Sequence, residues 1–360
     1  MRSIIDVLDL STEELEKLIL RAVDISEKPG DYRDAARGKK LATLFFEPST
    51  RTRLSFEAAM YELGGNVLSV PGAALSSAAK GESVSDTAKV LSCYADIASI
   101  RHPREGAALV ASEAASIPVI NAGDGGHCHP TQTLADLLTI HREKGRLDSL
   151  TVGFCGDLKY GRTVHSLINA MARYPGTKFV LISPKELTLP AYVRDGTIRK
   201  SGLSFYETAS LEEALPALDI LYMTRIQRER FEEAENYERL KNSYILTAEK
   251  MKLAAESCSV LHPLPRVNEI SVKVDDDPRA CYFKQVKNGK LMRMALILML
   301  LREAESPKER RDTGRDTGDV CQNPRCITTT EQELPQRFVT DPFTHKRKCV
   351  WCEAEARPLL

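Results

Sequence analysis

The 360 residues, 42% of them hydrophobic, suffice for two ordinary α/β domains and a small appendage. Lysine plus arginine balances aspartate plus glutamate, 50 against 50, which argues against a dedicated nucleic-acid or anionic-membrane surface. No run approaches a membrane span, and the opening Met1-Arg2-Ser3-Ile4-Ile5-Asp6-Val7-Leu8-Asp9-Leu10 carries acids where a signal peptide would be uniformly apolar; a cytoplasmic protein is expected.

Ser11-Thr12-Glu13-Glu14 reads as a capping box opening a first helix. Strands are then expected near 41–46, 66–70, 96–100 and 117–121, and a second set at 151–155, 178–182, 203–206, 219–223 and 257–261, with helices between them. This is the βαβ rhythm of two doubly wound parallel-sheet domains, joined by the helix around Thr131 to Lys144. The apolar helix Leu291 to Leu301 closes the body, too short and too flanked by charge to be a membrane helix.

From Ser306 to Asp319 charged residues dominate, and Arg311-Asp312-Thr313-Gly314 repeats at once as Arg315-Asp316-Thr317-Gly318; a solvated linker is expected. Five cysteines (Cys93, Cys128, Cys155, Cys258, Cys281) are scattered, which is wrong for a secreted disulfide framework. The other four form Cys321-x4-Cys326-x22-Cys349-x2-Cys352, paired hooks with spacing suited to tetrahedral zinc. So short a segment lacks an adequate core, and a metal joining the hooks would supply most of its folding free energy. Four thiolates leave no open coordination position, so the site is assigned to structure.

The most informative stretch is Phe46-Glu47-Pro48-Ser49-Thr50-Arg51-Thr52-Arg53, directly after the strand 41–45, with a helix read from Ser55 to Leu63. Hydroxyls and guanidinium groups at a strand-to-helix junction make a phosphate cradle. Capping by Ser49 or Thr50 would account for one hydroxyl, not for three hydroxyls and two arginines. Ser76 and Lys80 lie in a small-residue loop, a weak signal in isolation. Arg101 stands at the carboxyl end of the strand 96–100, where open parallel sheets bind ligands. His129 and Gln132 begin a helix after the turn Gly123 to Gly126 and suit carbonyl polarisation and an amide contact, with helix or turn capping as the plain alternative for the histidine. Gly156-Asp157-Leu158-Lys159-Tyr160-Gly161-Arg162-Thr163 nearly matches a nucleotide P-loop, but Arg162 stands where lysine is needed; an arginine at a helix start still suits a carboxylate. Arg225, Gln227, Arg228 and Arg230 follow the strand 219–223, as a donor set or a solvated helix face, and His262-Pro263-Leu264-Pro265-Arg266 forms a rigid turn after the strand 257–261.

Together these stretches resemble the catalytic chain of the aspartate carbamoyltransferases, from the N-terminus to about residue 304. The Phe46-to-Arg53 motif would fit any carbamoyltransferase, the ornithine enzymes included; Arg225-x-Gln227 and His262-Pro263-Leu264-Pro265 are of the aspartate type. The tail resembles the zinc domain of that family's regulatory chain, without the nucleotide-binding domain that normally precedes it. The resemblance implies a carbamoyl-phosphate-binding domain at 1–133 completed by a helix at 289–304, an aspartate-binding domain at 134–288, a linker at 305–319 and a zinc-binding domain at 320–356. It implies carbamoyl transfer from carbamoyl phosphate to L-aspartate, the committed step of pyrimidine (UMP) biosynthesis, with another acceptor such as ornithine as the alternative. Ser49, Thr50, Arg51 and Thr52 would hold the phosphate; Thr52, Arg101 and His129 would stabilise the oxyanion; Gln132, Pro263 and Leu264 would hold the carbamoyl amide. Arg162, Arg225 and Gln227 would bind aspartate, Glu47 and Arg230 would act in domain closure, and Ser76 and Lys80 would enter the site from the neighbouring subunit of a homotrimer. The zinc domain would allow a dimer of trimers. Zinc held by Cys321, Cys326, Cys349 and Cys352 is the single cofactor implied, with no catalytic cofactor, no nucleic acid and no membrane.

Overall fold

A computed structural model of the chain describes residues 1–72, 77–226, 244–307, 314–331, 333–341 and 345–356. The capping box forms: Glu14 N–H donates to Ser11 Oγ at 3.2 Å and Ser11 N–H to Glu14 Oε2 at 2.8 Å, opening α1 (Thr12–Glu27). By contact density the chain divides into two units, one of Met1–Leu10, Leu20–Thr131 and Arg293–Leu360, the other of Ser11–Ile19 and Gln132–Met292.

The first unit is built on a four-stranded parallel sheet of β1 (Lys40–Phe45), β2 (Asn66–Val70), β3 (Ile97–His102) and β4 (Val119–Asp124), in the order β2-β1-β3-β4. Its helices are α2 (Thr50–Glu62), α3 (Val84–Ser92) and α4 (Ala107–Ala114). The second unit carries β5 (Thr151–Cys155), β6 (Lys178–Ile182), β7 (Ser204–Thr208), β8 (Ile220–Met223) and β9 (Ser259–Leu261), all parallel in the order β7-β6-β5-β8-β9. Both orders reverse direction once, between β1 and β3 and between β5 and β8, and the carboxyl ends of strands flanking such a reversal are where doubly wound sheets bind ligands. All nine expected strands form, and the central ones are buried on both faces: β8 at every position and β3 at all but its last. The unit boundaries fall inside α1, α5 (Pro130–Lys144) and the last long helix, α7 (Tyr282–Glu303); α6 (Arg162–Met171) follows β5.

Two boundaries differ from the sequence reading. The cradle helix starts at Thr50 rather than Ser55, so Arg51, Thr52 and Arg53 belong to its first turn. In the segment 305–319, read as a solvated linker, Arg315 to Gly318 are exposed, but the backbone of Arg315 is engaged. Arg315 pairs antiparallel with Phe338, exchanging N–H···O bonds of 3.0 Å in both directions, and so adds to the hairpin of β10 (Phe338–Thr340) and β11 (Arg347–Cys349). Gly314 turns the chain into that pairing at φ +60°, where a Cβ would stand 2.6 Å from Val350 Cγ2. The first repeat copy, apart from Gly314, lies outside the described residues. No helix among the described residues is long and apolar enough to cross a membrane.

Candidate active site

At the β1 end, Ser49 is the N-cap of α2, yet its hydroxyl makes no capping bond. The plain capping explanation therefore does not apply to Ser49. Thr50 and Thr52 add hydroxyls to the first turn, which contains no acid, and the helix end contributes open N–H groups and a partial positive charge. Of the two arginines, Arg53 is taken up by Glu57, 3.6 Å away and one turn on, while Arg51 is exposed beside the hydroxyls.

Arg101 stands across from Phe45 in the β1–β3 register, and Phe46 N–H donates to its carbonyl at 2.8 Å. The residue is 8% exposed, and its guanidinium donates to the Ala122 carbonyl at 3.3 Å, approaches His129 Nε2 at 3.5 Å and pairs with Glu47 at 3.3 Å. One donor fork thus joins the ends of β1, β3 and β4. His129, also buried, immediately precedes α5. Arg293 on α7 braces this corner: it donates to Ser55 Oγ at 3.2 Å and Thr131 Oγ1 at 3.3 Å and lies over the Phe56 ring. Burial pushes the neighbouring His102 imidazole down to about 4, and its Nδ1 accepts from Arg104 N–H at 3.0 Å, which fixes the turn after β3.

The turn Asp124 to His129 is organised by Asp124, fully buried, whose carboxylate accepts from Gly106 N–H, Asn121 Nδ2 and Cys128 N–H at 2.9 to 3.1 Å and lies 3.1 Å from His127 Nδ1. Burial opposes this charge, and the His127 ring with the converging N–H groups more than offsets it, so the carboxyl stays below its usual range.

The four-cysteine module packs on the same unit. Glu105 forms a parallel bridge with Cys326, donating to the Arg325 carbonyl and accepting from Ile327 N–H, both at 2.9 Å, while its carboxylate meets Arg325 Nε at 3.0 Å and Asn323 Nδ2 at 2.6 Å. Arg337 lies over the Trp351 ring and pairs with Glu113 at 2.9 Å. Ala107, Val110 and Ala111 of α4 share a core with Cys326, Ile327, Phe338 and Trp351. At Gly106, φ +92°, a Cβ would meet the Trp351 carbonyl at 2.5 Å. The sulfurs of Cys321, Cys326, Cys349 and Cys352 all lie within 4.8 Å of one another and are buried. Tetrahedral zinc with Zn–S near 2.3 Å would set sulfurs about 3.8 Å apart, so the cluster fits a closed four-thiolate site, with Thr328 Oγ1 donating to Cys326 Sγ at 3.2 Å as outer support.

In the second unit, Gly156 ends β5 at φ +120°, where a Cβ would stand 2.4 Å from the Thr224 carbonyl; the ends of β5 and β8 are therefore in backbone contact. Arg162 opens α6 just beyond, and Arg225 follows β8. In the P-loop-like segment Tyr160 N–H donates to Asp157 Oδ1 at 3.0 Å, and Arg162 stands where a phosphate loop has lysine. After β9, His262 Nδ1 accepts from Leu264 N–H at 2.7 Å, so the ring carries its proton on Nε2, 2.7 Å from Glu269 Oε1. Burial pushes the Glu269 carboxyl up, but the His262 bond and the Val267 N–H overcome it and hold the group at about 2. A depressed carboxyl stabilises above its ordinary value of 4.5 and loses that contribution as pH falls toward 2. Glu269→Gln should therefore destabilise by about 3 kcal/mol at pH 7 and by almost nothing near pH 2, measured by urea unfolding across that range.

Lys80, itself exposed, ends a 3₁₀ turn, Ser77–Lys80; Ser76, Gln227, Arg228 and Arg230 lie outside the described residues. Sequence reasoning missed Arg293, Asp124, Asp136, Glu269 and Gln285. Of these only Asp136 had a local signal, four residues after Gln132 on one helix face.

Residues 2–142 match the family described as aspartate/ornithine carbamoyltransferase, carbamoyl-P binding domain, and residues 148–300 match the Asp/Orn binding domain of the same family. The aspartate carbamoyltransferase catalytic subunit of Lachnoclostridium phytofermentans is 63% identical over 301 residues, covering 84% of this chain and 98% of that one. The Clostridium novyi catalytic subunit is 58% identical over 300 residues, covering 83% and 98%. Among solved structures, the catalytic subunit of M. jannaschii aspartate transcarbamoylase aligns with TM-score 0.80 at 46% identity, covering 85% of this chain and all of that one (100%). Trypanosoma cruzi aspartate transcarbamoylase in complex with N-(phosphonacetyl)-L-aspartic acid aligns with TM-score 0.78 at 39% identity, covering 83% and 95%. The chain belongs to the aspartate carbamoyltransferase family, as a catalytic subunit that continues into a four-cysteine module.

Proposed function

We propose that the protein transfers the carbamoyl group of carbamoyl phosphate to L-aspartate, giving N-carbamoyl-L-aspartate and phosphate. The observation that carries this is the convergence at the β1–β3 reversal of an uncapped Ser49, the hydroxyl-rich first turn of α2 and the buried Arg101 fork. The phosphate is held by Ser49, Thr50, Arg51 and Thr52. The aspartate amine forms a bond to the carbamoyl carbon, the carbon–oxygen bond to phosphate breaks, and the departing phosphate accepts the amine proton. Thr52, Arg101 and His129 donate toward the oxyanion that develops between those two events. Gln132 and the carbonyls of Pro263 and Leu264 hold the carbamoyl NH₂. Arg162 takes the α-carboxylate of aspartate, while Arg225 and Gln227 take the side-chain carboxylate, a task suited to forked donors. Positioning and electrostatics suffice, with no protein nucleophile.

In this reading Ser76 and Lys80 complete the site of a neighbouring subunit in a homotrimer, Glu47 and Arg230 act in domain closure, and zinc at the four cysteines holds the tail. The zinc module would also join trimers in a larger assembly. The deciding experiment supplies carbamoyl phosphate with aspartate or ornithine as acceptor: aspartate turnover at least about 10⁴-fold more efficient is expected, since a site built for a second carboxylate leaves its arginines unpaired with ornithine. Equal or preferential use of ornithine overturns the assignment. Mixing inactive Arg51→Ala and Lys80→Ala subunits should restore activity in hybrid trimers that contain one intact site. No recovered activity after reassembly would sink the shared site.

A further inference from the structure

The groups that would hold the carbamoyl NH₂ are joined, within the second unit, by one buried carboxylate. Asp136 lies on α5 one turn beyond Gln132 and is fully buried. Its Oδ1 accepts from Gln132 Nε2 at 2.7 Å and from Gln285 Nε2 at 2.5 Å; its Oδ2 accepts from Tyr222 OH at 3.0 Å. Gln285 completes the link at its other end, its Oε1 accepting from His262 N–H at 3.0 Å. The imidazole of that same His262 receives the Leu264 N–H, and Leu264 sits at φ 54°, a left-handed conformation that a branched residue holds only when its surroundings impose it.

A primary amide has one end that donates and one that accepts, and the two are of nearly the same shape. A carboxylate facing it removes the ambiguity, because an ionised carboxylate only accepts. Asp136 therefore turns the NH₂ ends of Gln132 and Gln285 toward itself, which leaves Gln132 Oε1 as the outward end and sends Gln285 Oε1 to His262 N–H.

We propose that Asp136 is a positioning residue for substrate selection: by fixing the Gln132 amide and, through Gln285 and His262, the 263–264 turn, it presents acceptors to the carbamoyl NH₂ and so discriminates a carbamoyl from an acetyl group. This rests on the role given above to Gln132, Pro263 and Leu264. A methyl group has nearly the volume of NH₂ but no protons to donate, so shape alone separates the two poorly. Acceptors left without donors separate them strongly. With the Gln132 amide free to rotate, its NH₂ end would face the substrate for part of the time, repelling the carbamoyl group and tolerating the acetyl one.

The test compares carbamoyl phosphate with acetyl phosphate, using aspartate as acceptor and the full-length enzyme, as the ratio of kcat/KM for the two donors, acetyl phosphate being measured as a competing ligand where its turnover is below detection. Asp136→Leu should lower the carbamoyl preference by at least about tenfold, the loss of one oriented acceptor pair. Asp136→Asn should keep the preference within about threefold of wild type, because its oxygen remains for the two glutamines while its NH₂ faces a Tyr222 hydroxyl that is able to rotate and accept. A purely structural role would lower both donors in proportion and leave the ratio unmoved; that result in a folded Asp136→Leu enzyme overturns the proposal. Should that variant fail to fold, Gln285→Leu, which cuts the link to His262, is read by the same ratio with the same expected direction, and an unmoved ratio there overturns it. A wild-type enzyme inactive with carbamoyl phosphate and aspartate would instead overturn the underlying reading, and that outcome is separate because it needs no variant.

Discussion

Arg101→Met should lower kcat by about 10³ while leaving the unfolding midpoint within a few degrees of wild type. The guanidinium joins the ends of three strands, reaching Glu47, the Ala122 carbonyl and His129 from an 8% exposed position. Loss of one preorganised oxyanion donor typically costs about 2.7–4 kcal/mol of barrier. Met keeps the length and most of the apolar stem, so packing survives while the charge does not. Arg101→Lys should recover little, since an ammonium cannot reproduce a planar fork spanning two partners. Steady-state kinetics beside a thermal melt checks this, and retention of activity within tenfold of wild type would remove Arg101 from the reaction.

The second large effect concerns the cysteines. Chelation of zinc at the proposed four-thiolate site, or Cys326→Ser, should lower the unfolding midpoint by about 10 °C or more and expose the α4 face. Structural zinc contributes its binding free energy to folding, about 10–16 kcal/mol in apparent terms for isolated zinc-finger peptides. Only part of that would appear here, because the module also shares a core with Ala107, Val110 and Ala111 and bridges Glu105 through Cys326. At about 2–4 °C per kcal/mol for a unit of this size, a loss of 4 to 5 kcal/mol gives the stated shift. Zinc released on thiol titration should amount to one per chain, and hydrogen exchange should speed up at 105–111 together with 321–352. An unchanged midpoint after removal of the metal would falsify the structural assignment.

The parallel sheets were legible because their central strands, such as β1 and β8, are apolar runs punctuated by turns, a pattern that does not depend on distant partners. The start of α2 was misjudged for the opposite reason: Arg51, Thr52 and Arg53 are polar residues inside a first turn, where functional groups replace the apolar periodicity that marks a helix. Charge also disguised the second repeat copy, since Arg315 pairs with Phe338 through backbone groups that any side chain supplies. Asp136 escaped because its Tyr222 and Gln285 partners lie far along the chain, and a single aspartate in a helix carries no mark of the donors that fold toward it. Arg293 escaped likewise, being one of five cations along α7, with Lys284, Lys287, Lys290 and Arg302.

The bridge from Glu105 to Cys326 also bears on how strong the module's grip has to be. Covalent attachment beyond Glu303 makes docking an intramolecular event, with an effective concentration in the millimolar range for a short connection. A surface whose affinity in trans would be only modest is then almost fully occupied in cis, and a free copy of the module added at micromolar concentration would compete poorly for its place beside Glu105.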